Sequence, residues 1–300
     1  MARTPRIRKS GTAHYHVMSR TNDRRFLFRS GRVKRELVDI LRRTAEFSGV
    51  RLEAYCLMDD HFHVVCRVDE PKAPVSEDEI VRRIGILKGG RFAESLSRRW
   101  RERRGCAMGA VVVDVELSRW RARMNDVSQF VKTFKELAGI AYKSFASSSG
   151  EGTRTYCGGI WSGRFKSTLV EGNEHLATCI RYVELNPVRA GMVERAEDYA
   201  YSSARAADGR RTCREEGTDP TRGEVGDELG GSIERRLESR IAQIAGGNVF
   251  GSLTFVSTVL REYGSSLASR PRPRRVWEDC YASHGHRLAA AETSFTRHAS

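Results

Sequence analysis

The sequence predicts an α+β protein built on an antiparallel sheet, and two observations support this prediction. Short segments rich in aromatic and β-branched residues alternate with longer segments whose apolar residues recur at helical spacing. These segments follow one another in the order strand, helix, strand, strand, helix, strand. With 300 residues and a hydrophobic content of 39%, the chain can also bury a core of substantial size.

The first half of this plan has clear signals. A strand at residues 13–19 precedes a helix that runs from Val33 to Gly49, where the helical spacing stops. Two further runs, 52–58 and 61–68, have strand composition and are separated by a tight turn. They therefore predict a β-hairpin.

The second half resumes after a charged and strongly basic region, 76–126, which we interpret as a partly helical insertion. Residues 127–145 predict a second helix, residues 161–170 a fourth strand and residues 173–186 a further helix that ends before a proline. This order matches the ferredoxin-like plan, so we expect an antiparallel sheet with helices on one face. A small, mainly helical C-terminal extension should follow.

Composition suggests how the chain is divided. We expect a first domain over residues 1–204, a polar linker over 205–232 and a helical extension with a flexible basic tail over 233–300. Two interpretations of the extension remain open: a small DNA-binding or interaction module, and a helical cap on the first domain.

The charge balance favours a polyanionic partner. Lys and Arg number 52 against 38 Asp and Glu, which gives a net charge of +14 at pH 7 and a pI of about 9.8. The seven cysteines contain no Cys-x-x-Cys pair, so we expect reduced thiols. The sequence has no run of membrane-spanning length, and we expect a cytoplasmic, nucleoid-associated protein that does not contact a membrane.

One segment offers half of a metal site. Because side chains alternate along a strand, His61 and His63 should project from one face while Phe62 points to the core. Two imidazoles on one face can bind a metal if further ligands are supplied elsewhere. The same His-x-His pattern occurs at 14–16 and 284–286, so the pattern alone does not choose among them.

A second candidate cluster lies on the last predicted helix of the first domain. At about 100° per residue, His175, Tyr182 and Asn186 fall on one flank, apart from the apolar stripe. An amphipathic tyrosine on the domain surface is commoner than a catalytic one, and helical spacing alone does not overturn that interpretation of Tyr182.

Three ordered motifs resemble one family. They are Leu-Met-Asp-Asp-His-Phe-His-Val-Val at 57–65, Trp-Ser-Gly-Arg-Phe-Lys-Ser at 161–167, and Tyr-Val-Glu-Leu-Asn-Pro-Val-Arg-Ala-Gly-Met-Val at 182–193. Together they resemble the REP-associated tyrosine transposases, which belong to the insertion-sequence-200-like group of single-tyrosine HUH endonucleases. The resemblance extends over residues 13–203.

The resemblance implies a site and a reaction. His61 and His63 would be metal ligands, Asn186 the third ligand and Tyr182 the nucleophile, with His16 in a supporting role. The cofactor would be Mg²⁺ or Mn²⁺, of which manganese suits imidazole ligands better. The reaction would cleave and transfer single-stranded hairpin or palindromic DNA through a covalent 5′-phosphotyrosine.

Cationic residues near these motifs are the expected DNA contacts. We expect the protein to act as a monomer or a homodimer. Four aromatic side chains could stack unpaired bases, but packing in the core or on the surface is the favoured interpretation for each of Tyr15, Trp100, Trp120 and Phe165. Two other functions remain open: a domesticated hairpin-DNA-binding protein without cleavage activity, and an RNA-binding ferredoxin-like protein. The predicted DNA-binding residues are Arg20, Lys132, Lys135, Arg164, Lys166 and Arg181.

Overall fold

The computed structural model describes Ile7 and residues 9–148, 159–205 and 249–267. The elements in chain order are β1 (Ala13–Arg20), α1 (Gly31–Ser48), β2 (Val50–Leu57), β3 (His61–Val68), α2 (Glu77–Lys88), α3 (Gly90–Arg103), α4 (Ala107–Arg121), α5 (Val127–Ser148), β4 (Lys166–Val170), α6 (Glu174–Glu184), α7 (Asn186–Arg189), β5 (Val249–Phe250) and α8 (Leu253–Leu267).

The five strands form one sheet in the order β2-β3-β1-β4-β5. The first four strands pair antiparallel with their neighbours, and their order is the one expected for the ferredoxin-like plan. β5 adds to the outer edge of β4 and runs parallel to it. The predicted α+β fold class is therefore confirmed, and the short edge strand β5 is an addition that the sequence pattern did not indicate.

One face of the sheet forms the main core. Tyr15 and Val17 of β1 and Phe62 and Val64 of β3 point to this face, as the strand alternation requires. They pack against the apolar stripes of α1 and α5. Phe62 is 1% exposed and meets the ring of Phe134 of α5 edge to face at 5.0 Å between centroids. Burial of Phe62 on this side fixes its neighbours His61 and His63 on the other.

The opposite face of the sheet is covered by α6. Ala54 and Cys56 of β2 and Val65 of β3 pack there against Cys179 and Val183 of this helix. The prediction of helices on one face thus describes α1 and α5 but does not include α6. Because α6 carries Tyr182, this packing brings the tyrosine to the face from which the two histidines project.

The basic region at 76–126 is a helical subdomain. α2, α3 and α4 enclose a second apolar core, and α2 also packs on α1. Trp100 of α3 is fully buried in this core, where its indole Nε1 donates a hydrogen bond to Glu116 Oε2 at 2.7 Å. The helices therefore have an apolar interior of their own despite the high charge of their surfaces.

Several local predictions are refined. β4 begins at Lys166 and not at residue 161, and α6 begins at Glu174, one residue after the expected start. The described cysteines (Cys56, Cys66, Cys106 and Cys179) are free thiols. No helix among the described residues is long and apolar enough to cross a membrane. The predicted linker at 205–232 lies outside the described residues, apart from Arg205. So do the parts of the predicted extension at 233–248 and 268–300, which include the 284–286 histidine pair.

Candidate active site

The turn between β2 and β3 holds the first histidine. Backbone hydrogen bonds join Thr21 N to Asp60 O at 2.7 Å and Phe28 N to Asp59 O at 2.9 Å. The buried ammonium of Lys34 lies 2.6 Å from the Asp59 carboxylate. These contacts fix the turn from two sides, and β3 begins directly after it with His61.

Each histidine of the β3 pair has a partner on its Nδ1 atom. His61 Nδ1 lies 2.5 Å from Asp60 Oδ1, and His63 Nδ1 lies 2.9 Å from His16 Nε2. A carboxylate accepts hydrogen bonds, so His61 donates from Nδ1, and its Nε2 is the ring nitrogen that could bind a metal. If His63 likewise donates to His16, its Nε2 is the atom that could bind a metal. Both imidazoles then present the nitrogen that a metal requires.

The three histidine rings lie in contact on the α6 side of the sheet. The rings of His16 and His63 stack with centroids 5.2 Å apart and an interplanar angle of 15°. The rings of His61 and His63 are 5.1 Å apart and nearly perpendicular. All three side chains are buried, with exposed fractions of 2% to 5%. His16 thus lies beside His63, and its expected supporting role stays a prediction.

Burial keeps two of these imidazoles neutral. Loss of hydration lowers the pKa of His16 to about 4. The pKa of His63 lies well below its ordinary value, first because of burial and then because of the nearby charges of His61, His16, Arg20 and Arg189. Neutral imidazole is the form that binds metal, so this environment suits a ligand at neutral pH.

Tyr182 of α6 closes the site. Its ring meets His16 and His63 edge to face, in each case with 5.8 Å between centroids. The guanidinium of Arg189 lies over the same ring at 4.5 Å from the centroid, and its Nη1 is 3.4 Å from Tyr182 O. The structure thus brings a phenol, with a cation over its ring, into contact with two strand histidines that precede it by more than a hundred residues in sequence.

Asn186, the expected third ligand, is engaged with the tyrosine helix. Its Nδ2 donates to Tyr182 O at 2.9 Å and to Val183 O at 3.4 Å. The amide therefore satisfies carbonyls at the C-terminal end of α6. Of the two polar atoms of the Asn186 side chain, Oδ1 is the one that could bind a metal, because the amide nitrogen has no lone pair to offer.

The donor set fits a metal only in part. Within the described ranges, no group of three or more His, Cys, Asp or Glu side chains is arranged to hold a metal ion. What is present is a pair of buried imidazoles, His61 and His63, the first of them oriented by the carboxylate of Asp60, which is a common arrangement around metal ligands. His61 and His63 are therefore suited to a metal whose remaining ligands come from substrate and water.

The predicted DNA-binding residues fall into two groups. On the histidine side of the sheet, Arg20 ends β1 opposite His61, and Lys166 is exposed at the start of β4 opposite Met18. Arg164 and Arg181 are also exposed, the latter directly before Tyr182.

The second group lies on α5, against the other face of the sheet. Lys132 is 3.9 Å from Glu136, and Lys135 Nζ donates to Gly163 O at 2.8 Å while it lies over the ring of Trp161. Lys135 thus supports the loop that precedes β4. Neither lysine is on the Tyr182 side.

Three of the aromatic residues considered for base stacking are core residues. Tyr15, Trp100 and Phe165 are 3%, 0% and 8% exposed, so their rings cannot meet unpaired bases. Trp120 is half-buried between the rings and cations of its own subdomain, with the guanidinium of Arg123 4.9 Å from its centroid. Their burial confirms packing, the interpretation that the sequence favoured, and excludes base stacking by these three residues.

Two residues of the site were not predicted from the sequence. Asp60 precedes the first histidine, and its orienting role depends on the turn geometry. Arg189 lies seven residues after Tyr182, a spacing of two helical turns that would have suggested the shared flank if α6 and α7 had been treated as continuous.

The comparison with protein families agrees with the first of the three motifs. Residues 9–101, which include β1 and the histidine pair, match the family model described as transposase IS200 like. A solved structure of a REP-associated tyrosine transposase bound to a REP hairpin is similar at 15% identity and a TM-score of 0.37, covering 75% of this chain and 98% of that one. No similar sequence was found among curated proteins. The fold assignment rests on the strand order and not on this structural likeness.

Proposed function

We propose that this chain, whose residues 9–101 match the IS200-like transposase family, is a metal-dependent single-stranded DNA endonuclease and strand transferase with Tyr182 as its nucleophile. The observation that carries the proposal is the contact between Tyr182 and His63, whose ring centroids are 5.8 Å apart. A phenol packed against one of the two proposed metal ligands suits attack on a phosphate, whose charge a metal held by His61 and His63 would help to neutralise.

The reaction splits one displacement into two. The Tyr182 oxygen attacks a backbone phosphorus, the bond from phosphorus to the 3′ oxygen breaks, and a 5′-phosphotyrosine forms. The phenol proton leaves during the attack, and the departing 3′ oxygen takes up a proton. A free 3′ hydroxyl later attacks the phosphotyrosine and restores the tyrosine. The phosphodiester bond energy is conserved in the covalent intermediate, so no nucleotide cofactor is needed.

Arg189 and the histidines have separate tasks in this scheme. The guanidinium over the Tyr182 ring stabilises the negative charge that develops as the phenol loses its proton. His61 and His63 would hold a Mg²⁺ or Mn²⁺ ion, which polarises the non-bridging phosphate oxygens, and imidazole ligands favour manganese. Asp60 and His16 hold the two ligand rings in the required orientation.

The proposed substrate is hairpin or palindromic single-stranded DNA. The excess of basic residues supplies the salt-sensitive part of the affinity for any polyanion. Arg164, Lys166 and Arg181 are exposed, and the latter two flank the tyrosine side of the sheet. They are proposed as contacts to the strand that is cut, while Lys132 on α5 would contact DNA that extends past the catalytic face.

The test is covalent capture of labelled DNA. Incubation of a labelled single-stranded hairpin with Mn²⁺ should produce a protein-DNA adduct that disappears in Tyr182→Phe. Replacement of His61 and His63 by alanine should abolish the adduct but leave much of the hairpin binding, because that affinity comes mainly from Lys and Arg.

Each alternative function has its own outcome in the same assay. An adduct of equal yield in Tyr182→Phe would refute the nucleophile. Salt-sensitive hairpin binding without an adduct at any Mn²⁺ or Mg²⁺ concentration would indicate a DNA-binding protein without cleavage activity. Preference for an RNA hairpin of the same sequence would indicate an RNA-binding protein.

A further inference from the structure

The described C-terminal segment is built into the catalytic sheet. β5 pairs with the end of β4, with Leu169 opposite Val249 and Val170 opposite Phe250. Val249 is fully buried in the core on the α1 side, and Phe250 is 3% exposed in the core that also contains Tyr182. A strand of only two residues thus contributes one buried side chain to each face of the sheet.

Glu171, the first residue after β4, holds this segment in place. Its backbone N donates to Phe250 O at 2.8 Å, and its carboxylate accepts from Ser252 N at 2.5 Å and Ser252 Oγ at 3.1 Å. Ser252 Oγ in turn accepts from Phe255 N at 3.2 Å in the first turn of α8. One carboxylate therefore fixes both the end of β5 and the start of α8.

The same carboxylate reaches the tyrosine helix. His175, in the first turn of α6, has its Nδ1 atom 3.5 Å from Glu171 Oε2 and its ring edge to face with Phe250 at 5.2 Å between centroids. His175 and Tyr182 lie seven residues apart, which is two turns of the helix and about 10 Å along its axis. A shift of β5 or α8 would thus be transmitted to the N-terminal end of the helix that carries Tyr182.

The contacts of Glu171 with Phe250, Ser252 and His175 form a joint between β4, β5, α6 and α8, and this joint is tightly packed at Gly251. A Cβ at this position would lie 2.6 Å from Phe255 Cδ1 and 2.7 Å from Glu171 Oε2, and it would also meet Glu171 Cβ at 2.8 Å. Contacts this short cannot be accommodated without movement of α8 or Glu171. The sequence Gly-Ser after β5 therefore allows the close approach on which the contacts of Glu171 depend.

We infer that Glu171 and His175 are positioning residues for Tyr182, and that they couple residues 249–267 to the tyrosine helix. The inference rests on the proposed function for its effect on catalysis. The segment is accordingly a working part of the nuclease domain, acting on the orientation of α6 against the histidine face. This role differs from that of an independent DNA-binding module, which was one of the two interpretations left open by the sequence.

The test separates positioning from general stability. Glu171→Gln, Ser252→Ala and Gly251→Ala all perturb the joint, whereas Leu117→Ala removes a buried side chain of α4 that is 3% exposed and belongs to the separate helical core. The rate of adduct formation with labelled single-stranded DNA and Mn²⁺ is measured in single turnovers, together with the DNA dissociation constant and the midpoint of thermal unfolding. Hydrogen exchange of the α6 backbone amides is measured on the same variants.

We expect the joint variants to form the adduct about tenfold more slowly with an unchanged DNA dissociation constant, because a misplacement of about 1 Å lowers rate more than affinity. Protection of the α6 amides from hydrogen exchange should fall in the joint variants and stay unchanged in Leu117→Ala. This difference should hold even if the joint variants and Leu117→Ala lower the midpoint of thermal unfolding alike. Joint variants with wild-type rates and wild-type α6 protection would overturn the inference. Absence of an adduct in the wild type would refute the proposed function alone, since α6 protection still reports the coupling.

Discussion

Replacement of His16 by phenylalanine gives the sharpest test of the proposed metal ligands. His16 is 5% exposed, and its Nε2 is 2.9 Å from His63 Nδ1. Phenylalanine preserves an aromatic ring that can stack on His63 and pack against Tyr182, but it removes the nitrogen. If His63 donates from Nδ1 to His16, the replacement removes the acceptor that keeps the proton on Nδ1 and Nε2 available.

The expected magnitude follows from the lost hydrogen bond. A buried donor without a partner costs about 1 to 3 kcal/mol, and loss of an outer partner of a metal-bound histidine lowers metal affinity about 10- to 100-fold. We therefore expect His16→Phe to raise the Mn²⁺ concentration for half-maximal adduct formation by that factor. Adduct formation at saturating Mn²⁺ should largely recover. His16→Gln retains an acceptor oxygen and should have an intermediate midpoint.

The matched control is Tyr15→Phe. Tyr15 is the neighbouring residue in β1, is 3% exposed and also has a polar atom in a hydrogen bond, with Lys9 N at 3.2 Å. Its side chain lies on the opposite face of the sheet, so Tyr15→Phe should leave the Mn²⁺ midpoint unchanged. An unchanged midpoint in His16→Phe as well would refute the reasoning that His63 binds metal with His16 as its acceptor.

Three further predictions concern other contacts. Arg189→Met should lower the single-turnover rate about tenfold with little effect on hairpin binding, because it removes the cation over the Tyr182 ring; an unchanged rate would remove Arg189 from the mechanism. Asp60→Asn should raise the Mn²⁺ midpoint about 10-fold or more, since an amide orients His61 less strongly than a carboxylate; equal midpoints would exclude that role. Hydrogen bonds from Arg82 and Arg83 lower the pKa of Glu79 from 4.5 to about 2. Ionised Glu79 therefore stabilises the fold above pH 4.5, and this stabilisation is lost as the pH falls towards 2. Because Glu79 is partly exposed, Glu79→Gln should lower the pH-dependent part of the free energy of unfolding, measured with denaturant, by about 1 kcal/mol or less.

The strand order could be predicted because periodicity reports burial. Alternating residues such as Phe62 and Val64 identify strands with one core-facing side, and the β1-α1-β2-β3 order then leaves few arrangements of the sheet. The edge strand β5 could not be predicted in this way. Two residues are too few to show a period, and their burial depends on contacts with β4 some eighty residues earlier in the sequence.

The predictions of site residues show the same contrast between features set by local periodicity and features set by long-range packing. The strand pair His61 and His63 and the helix flank of Tyr182 and Asn186 follow from local geometry, and the family resemblance joined them into one hypothesis. The aromatic residues Tyr15, Trp100 and Phe165 were harder to place, because sequence does not distinguish a buried ring from an exposed one when the surrounding residues are charged. Nor does it indicate that Asn186 bonds to the carbonyls of its own helix.

The sequence alone determined the fold class, the face on which the two histidines project and the helix flank on which the tyrosine lies. These features depend on the fixed side-chain periods of strand and helix, which can be read from the spacing of apolar and polar residues in the sequence. Only the tertiary structure decided that α6 packs on the histidine face, that His16 contacts His63, and that Glu171 joins the C-terminal segment to the tyrosine helix. Those contacts link residues distant in sequence, and their geometry is set by the packing of whole elements against each other, which no local period encodes.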